Sequence, residues 1–131
     1  MACLDTDILV AILCGEEDAA TFIKKAEKSG EALSTTPINS IELYKGAFRS
    51  KHPEENIVAV ERLLASLDLL SLGLRESKEV GCLIEELRSR GESIGDFDTV
   101  IAGIVRAHRE VLVTRNIKHF QQVPGLPIQS W

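Results

Sequence analysis

The stretch Asp96-Phe97-Asp98-Thr99-Val100-Ile101-Ala102-Gly103-Ile104-Val105-Arg106-Ala107-His108-Arg109, followed after Glu110 by Val111-Leu112-Val113-Thr114, decides the fold. In its first part Phe97, Ile101, Ile104 and Val105 recur at the spacing of one helix face, so a helix with those residues on its core side is predicted. The second part is a short unbroken apolar run, the pattern of a strand covered on both faces, as in parallel sheets. Polar residues mark the borders. Asp96 and Asp98 open the helix, and Asn116 follows the strand.

The same alternation extends outward in both directions. Met1 to Leu4 suits a short buried strand ending at Asp5, and Ile8 to Leu13 reads as a buried helical turn or two. From Glu16 a helix carries Ala19, Phe22, Ile23 and Ala26; acids open it, Lys24, Lys25 and Lys28 close it, and Gly30 stops it. Glu31 to Thr36 is a strand candidate ended by Pro37. Asn39 or Ser40 can cap the next helix, whose apolar positions include Ile41, Tyr44, Ala47 and Phe48. Pro53 begins another helix with a stripe of Ile57, Val60, Leu64 and Leu67. Leu69 to Leu72 reads as a strand. Arg75 to Arg90 reads as an amphipathic helix with Val80, Leu83, Ile84 and Leu87 on one face. The tail from Pro124 to Ile128 allows a turn and a final edge strand. Short strands separated by helices imply an α/β fold, a parallel sheet covered by helices on both faces. Ligands gather outside the carboxyl ends of such strands, which is where Asp5 and Asn116 fall.

With 131 residues the chain is expected to form one domain spanning 1–131. The apolar fraction of 44% and charged fraction of 27% are those of an ordinary globule. No apolar stretch approaches the roughly 20 residues that span a bilayer. No basic region precedes an apolar one at the start, so no secretory signal is expected. Cys3, Cys14 and Cys82 have no Cys-x-x-Cys spacing and sit among apolar neighbours; buried free thiols in a reducing cytoplasm are expected. Fifteen basic residues against 20 acids give −5, which argues against holding nucleic acid by bulk charge. A local basic rim around an acidic metal pocket remains compatible with that balance.

Each polar position admits a plain structural role beside a functional one. Asp5 ends an apolar strand, where a bare carboxylate is costly unless it is paired, binds a metal or caps the helix from Thr6 onward. Asp7 fits a cap or a supporting role at a site. Glu42, taken alone, is the solvated glutamate of many helices. Asp98 lies in a first helical turn that favours any anion, and Asp96 reads as the N-cap of that helix, bonding the amide of Asp98 or Thr99. Asn116 serves equally as a turn or cap residue. If the fold gathers them, these residues make an oxygen cage suited to Mg²⁺ or Mn²⁺.

Taken together, Leu4-Asp5-Thr6-Asp7-Ile8-Leu9, Ser40-Ile41-Glu42-Leu43-Tyr44-Lys45-Gly46, Asp98-Thr99-Val100-Ile101-Ala102 and Leu112-Val113-Thr114-Arg115-Asn116-Ile117-Lys118-His119-Phe120 resemble the PIN-domain ribonucleases, above all the VapC toxins of toxin–antitoxin pairs. The ending Val123-Pro124-Gly125-Leu126-Pro127-Ile128, with Trp131 last, is similar to the VapC group associated with cleaving initiator tRNA. The resemblance implies a PIN-like α/β/α sandwich with a short, mostly parallel sheet. It also implies a metal-dependent endoribonuclease that acts on RNA, with tRNA a candidate, as a homodimer held inactive by a VapB-like antitoxin.

By position, Asp5, Glu42 and Asp98 match the three acids of the PIN site, and Asn116 takes a fourth place where many relatives have aspartate. Asp7 departs from the commoner asparagine after Asp-Thr and offers to restore that charge. Asp96 is an extra acid that could join the metal's outer shell. Thr6 and Thr114 match hydroxyl positions that orient carboxylates or water. Arg115 and Lys118 fit phosphate contacts at the pocket edge or plain solvated roles. Cleavage by activated water would leave a 3′-hydroxyl and a 5′-phosphate, and His52, His108 and His119 are assigned no chemistry.

Two other classes compete. A receiver-type phosphorylated signalling domain also gathers acids around Mg²⁺, but Leu69 to Leu72 is followed by Gly73 rather than a phospho-accepting aspartate, and Val111 to Thr114 by Arg115 rather than lysine. A non-catalytic RNA- or partner-binding PIN module would have no need of Asp5, Glu42 and Asp98 together.

Overall fold

The computed structural model describes residues 1–131. Five strands form one sheet: β1 (Ala2–Leu4), β2 (Leu33–Thr35), β3 (Asp68–Leu69), β4 (Val111–Val113) and β5 (Ile128–Gln129). Their order is β3-β2-β1-β4-β5 and every pairing is parallel. The chain steps outward from β1 to β2 and β3 on one side, then returns to lay β4 and β5 on the other. The seam between β1 and β4 is therefore the topological switch point, the place where open α/β sheets hold ligands.

Alternation along the strands sorts two cores. Cys3 and Leu112 face one layer, formed by α5 (Leu74–Ser89), α6 (Asp96–Ala107) and the short α7 (Ile117–Phe120). Ala2, Leu4 and Val113 face the other, formed by α1 (Thr6–Leu13), α2 (Glu17–Lys28), α3 (Pro37–Arg49) and α4 (Pro53–Ala65). The result is the PIN-like α/β/α sandwich with a short parallel sheet. Leu4, Ile8, Leu9, Leu83, Ile101, Ile104, Leu112 and Phe120 are fully buried, and each such side chain contributes about 1.5–3 kcal/mol. No helix is long and apolar enough to cross a membrane.

Several expectations are corrected. Of the cysteines only Cys3 is buried; Cys14 and Cys82 are exposed. Cys14 is the C-cap of α1, past its buried face, and Cys82 lies on the solvent side of α5, where its thiol donates to Glu86. Apolar sequence neighbours say nothing about facing, because a helix turns about 100° per residue. For the same reason Phe97 and Ile84, expected in the core, are about half exposed. The third strand is only Asp68–Leu69, with Leu70 its buried neighbour. The helix after β2 starts at Pro37 and is capped by Thr36 rather than Asn39 or Ser40. Gly95, at φ 88°, is the N-cap of α6 in place of Asp96; a glycine takes that backbone without a Cβ penalty.

Candidate active site at the β1–β4 seam

Asp5 sits where β1 hands over to α1. Its backbone N–H donates to the Val113 carbonyl, which pins it beside β4. Its side chain is 6% exposed and N-caps α1, with Oδ1 accepting from the Thr6 N–H at 2.8 Å. The same oxygen accepts from Asn39 Nδ2 at 3.1 Å, and Oδ2 accepts from the Thr114 hydroxyl at 2.8 Å. The cap of α1 and the candidate site residue are thus one and the same.

Asn39, fully buried in the first turn of α3, organises this side of the pocket. Its amide donates to Asp5 Oδ1 and to Thr6 Oγ1, while its own Oδ1 accepts from the Thr36 N–H and hydroxyl. Thr6 then passes its proton outward, donating at 2.6 Å to Glu42 Oε1. Glu42 is half-buried on α3 and is reached only through that hydroxyl.

From the other layer, Asp98 stands in the first turn of α6. Its Oδ2 lies 2.9 Å from His119 Nδ1, and that nitrogen is also 2.9 Å from the Asn116 side-chain nitrogen. If Nδ1 carries the proton for Asp98 it cannot accept one from an amide NH₂, so in that tautomer the Asn116 amide would have to turn its oxygen toward the ring. The Asn116 backbone N–H donates to Thr114 Oγ1, closing the loop back to Asp5.

The carboxylates feel one another. Burial pushes the Asp5 carboxyl up from its ordinary 3.8 to about 6; hydrogen bonds from Thr114 and Thr6 oppose the rise, and the charges of Asp7 and Asp98 add to it. Burial also raises Asp98, opposed by His119 and reinforced by Glu42 and Asp7. Asp5, Asp7, Glu42 and Asp98 therefore form one electrostatic unit. Mutual repulsion of this kind is what a bound cation relieves. No three acidic, histidine or cysteine side chains converge at ligating distance, because Asp5, Asp7, Glu42 and Asp98 are turned toward protein donors. As chemistry, the all-oxygen donor set fits a hard divalent ion.

The remaining positions fall outside this unit. Asp96 is exposed and lines a shallow cleft with Ile84, Arg88 and Thr99. Lys118 is exposed on α7. Arg115 turns its guanidinium onto the Trp131 ring and pairs with Asp18. Three further residues belong to this network without a plain functional signal in the sequence. Asn39 reads as a cap, and Thr36-x-x-Asn39 has the spacing of a reciprocal capping box. His119 follows Asn116 by three residues, one helical turn. Trp131 reaches Asp7 across 124 residues, and no local pattern announces it. Beside Glu42 an apolar groove of about 310 Å³ opens between α1, α3 and α4, lined by Val10, Leu13, Cys14, Gly46 and Ala59.

A parallel sheet with a carboxylate at its switch point, faced by acids from helices of both layers, is the frame of a PIN domain. The PIN domain family model matches residues 2–126. Ribonuclease VapC2 of Haemophilus influenzae is 28% identical over 98% of this chain and 96% of its own length. The tRNA(fMet)-specific endonuclease VapC of Salmonella typhimurium is 33% identical over 76% of this chain and 75% of its own. Among solved structures, VapBC2 from Rickettsia felis bound to a promoter DNA fragment superposes with a TM-score of 0.91 at 29% identity, covering 99% of this chain and 98% of that one. The chain belongs to the PIN-domain family, as a VapC-like ribonuclease toxin of a toxin–antitoxin system.

Proposed function

We propose that this chain is a Mg²⁺- or Mn²⁺-dependent endoribonuclease that hydrolyses RNA phosphodiesters, with tRNA as substrate class, and is held inactive by a VapB-like antitoxin. The observation that carries the reading is the electrostatic unit of Asp5, Asp7, Glu42 and Asp98 at the β1–β4 seam. Asp5, Glu42 and Asp98 would hold the ion, with the Asn116 oxygen as a weaker fourth donor and Asp96 at most in the outer shell. An ion bound there supplies Lewis acidity, polarising the phosphate and acidifying water. The protein's own share is orientation. Thr114 and Asn39 aim Asp5, Thr6 aims Glu42, and His119 aims Asp98. Attack in line with the leaving 3′ oxygen leaves a 3′-hydroxyl and a 5′-phosphate.

Two relatives bear the name tRNA(fMet)-specific endonuclease, which supports the substrate class. Two similar structures are VapBC complexes, which supports the antitoxin; the groove beside Glu42 is where such a partner would cover the site. A homodimer is the expected working form, and the exposed Leu69, Leu72 and Leu74 at the β3 edge offer apolar surface for it.

The test is cleavage of a tRNA pool by purified protein in Mg²⁺, Mn²⁺ or EDTA, with the new ends mapped. Metal-dependent cuts bearing 5′-phosphates are expected, and their loss in folded Asp5→Asn and Asp98→Asn. A chain that shifts RNA on a gel without cutting it in any metal would be a binding module instead.

A further inference from the structure

Trp131 is the chain's only tryptophan, and it sits just past β5, at the same sheet edge as the acids. Its indole N–H donates to Asp7 Oδ1 at 3.1 Å. The other oxygen, Oδ2, accepts the Arg115 backbone N–H at 2.8 Å and lies 3.1 Å from the Thr114 hydroxyl. Arg115 stacks its guanidinium 3.5 Å from the indole centroid, donates from Nε to the Trp131 carbonyl and reaches Asp18 on α2. The ring is thereby gripped on its face and at its backbone.

Every group that meets Asp7 on these two oxygens is a donor. An asparagine would set its NH₂ against either the indole N–H or the Arg115 amide, so the surroundings select a carboxylate. Capping does not account for this, since Asp5 and not Asp7 caps α1. The single Thr114 hydroxyl proton lies between Asp5 Oδ2 and Asp7 Oδ2, so the two carboxylates are tied through one donor.

We propose that Trp131 is a positioning residue of the metal site: its indole N–H, with the ring held by Arg115, fixes Asp7 as a carboxylate bearing on the cation. Asp7 thereby makes good the charge that Asn116 lacks at the fourth position. The inference rests on the metal-dependent reading above.

Trp131→Phe keeps a ring for Arg115 and removes only the donor. By calorimetry it should need about tenfold more Mg²⁺ or Mn²⁺ for half-saturation, the usual size for the loss of a group that orients a ligand. The lone indole N–H gives one proton–nitrogen NMR signal. That signal should lie downfield, exchange slowly, shift on Mg²⁺ addition, and move upfield with faster exchange in Asp7→Asn. Unchanged metal affinity in folded Trp131→Phe, or an indole signal indifferent to both Mg²⁺ and Asp7→Asn, overturns the positioning role alone. A parent that neither binds metal nor cuts RNA overturns the proposed function and this inference with it.

Discussion

Asp5 carries two opposed burdens, and pH separates them. Its folded carboxyl titrates near 6 against an ordinary 3.8, because burial and neighbouring charges disfavour the anion. Between those values Asp5 holds its proton more tightly in the folded state than in the unfolded one, so its contribution to stability falls as pH rises from about 4 to 6 and stays lower above that. The full shift corresponds to about 3 kcal/mol. Asp5→Asn removes the charge and keeps an oxygen for the Thr6 and Asn39 donors. In EDTA at pH 8 it should be more stable than the parent by about 1–2 kcal/mol, and no more stable at pH 4, as urea denaturation would read; cleavage is lost at every pH. Mg²⁺ should stabilise the parent at pH 8 and the variant far less. A stability difference between Asp5→Asn and the parent that does not change from pH 4 to 8 would remove burial strain from the account of this site. Asn39 makes the complementary case. It is fully buried and all its side-chain groups are engaged, so Asn39→Ala leaves donors and acceptors unpaired and should cost about 2–4 kcal/mol in the same measurement. Asp5 and Asp98 were legible in the sequence because each stands at the border of an element, and Glu42, inside α3, only through the family resemblance. Asn39, His119 and Trp131 were not, since a donor that orients a carboxylate leaves no periodic mark and owes its place to tertiary geometry.

Helices and strands were largely readable from periodicity, and the misses follow from facing. Phe97 and Ile84 carry apolar side chains at positions where α6 and α5 turn toward solvent, and a window average cannot tell an apolar stripe from its edge. The α5–α6 pair shows how closely the elements that carry Asp98 are packed. A Cβ on Gly103 would stand 2.5 Å from Val80 Cγ2 and 2.9 Å from its Cα. The latter is backbone, so the helices themselves must part. Helix propensity favours alanine over glycine by about 1 kcal/mol, but overpacking costs about 1–3 kcal/mol; Gly103→Ala should therefore destabilise on balance. Gly81, on the solvent side of α5, has nothing within 4 Å of an added Cβ, so Gly81→Ala should stabilise by about 0.5–1 kcal/mol. Thermal melts of the two variants should move in opposite directions. Parallel shifts would mean that the α5–α6 approach is looser than described, and with it the placement of Asp98 against His119.

At the scale of the whole molecule the chain faces a charge problem, because it carries a net −5 and is proposed to act on a polyanion. Proteins that grip nucleic acid through 6–10 phosphate contacts lose about 10³–10⁵ in affinity between 50 and 200 mM salt. Here the basic side chains are not pooled at the seam. Arg115 is committed to Trp131 and Asp18, Arg106 to Glu79 and Glu86, and Arg88 to Glu85. Lys118 on α7, with Lys45 and Arg49 on α3, is left exposed near the acids or on the helix that bears Glu42. Three contacts to a single strand would give a salt slope of about −2, hence a loss of roughly 15- to 20-fold over that fourfold salt range. Cleavage at fixed, saturating Mg²⁺ and limiting RNA should show that shallow dependence, and Lys118→Ala should lower the rate and flatten the slope by less than one unit. A bound cation would turn an acidic mouth into one that attracts phosphate, and recognition would then rest on the site and on RNA shape rather than on bulk charge. A loss of a thousandfold or more over the same range would mean that many more cations reach the RNA than this surface offers, as a second copy of the chain across a dimer interface would provide.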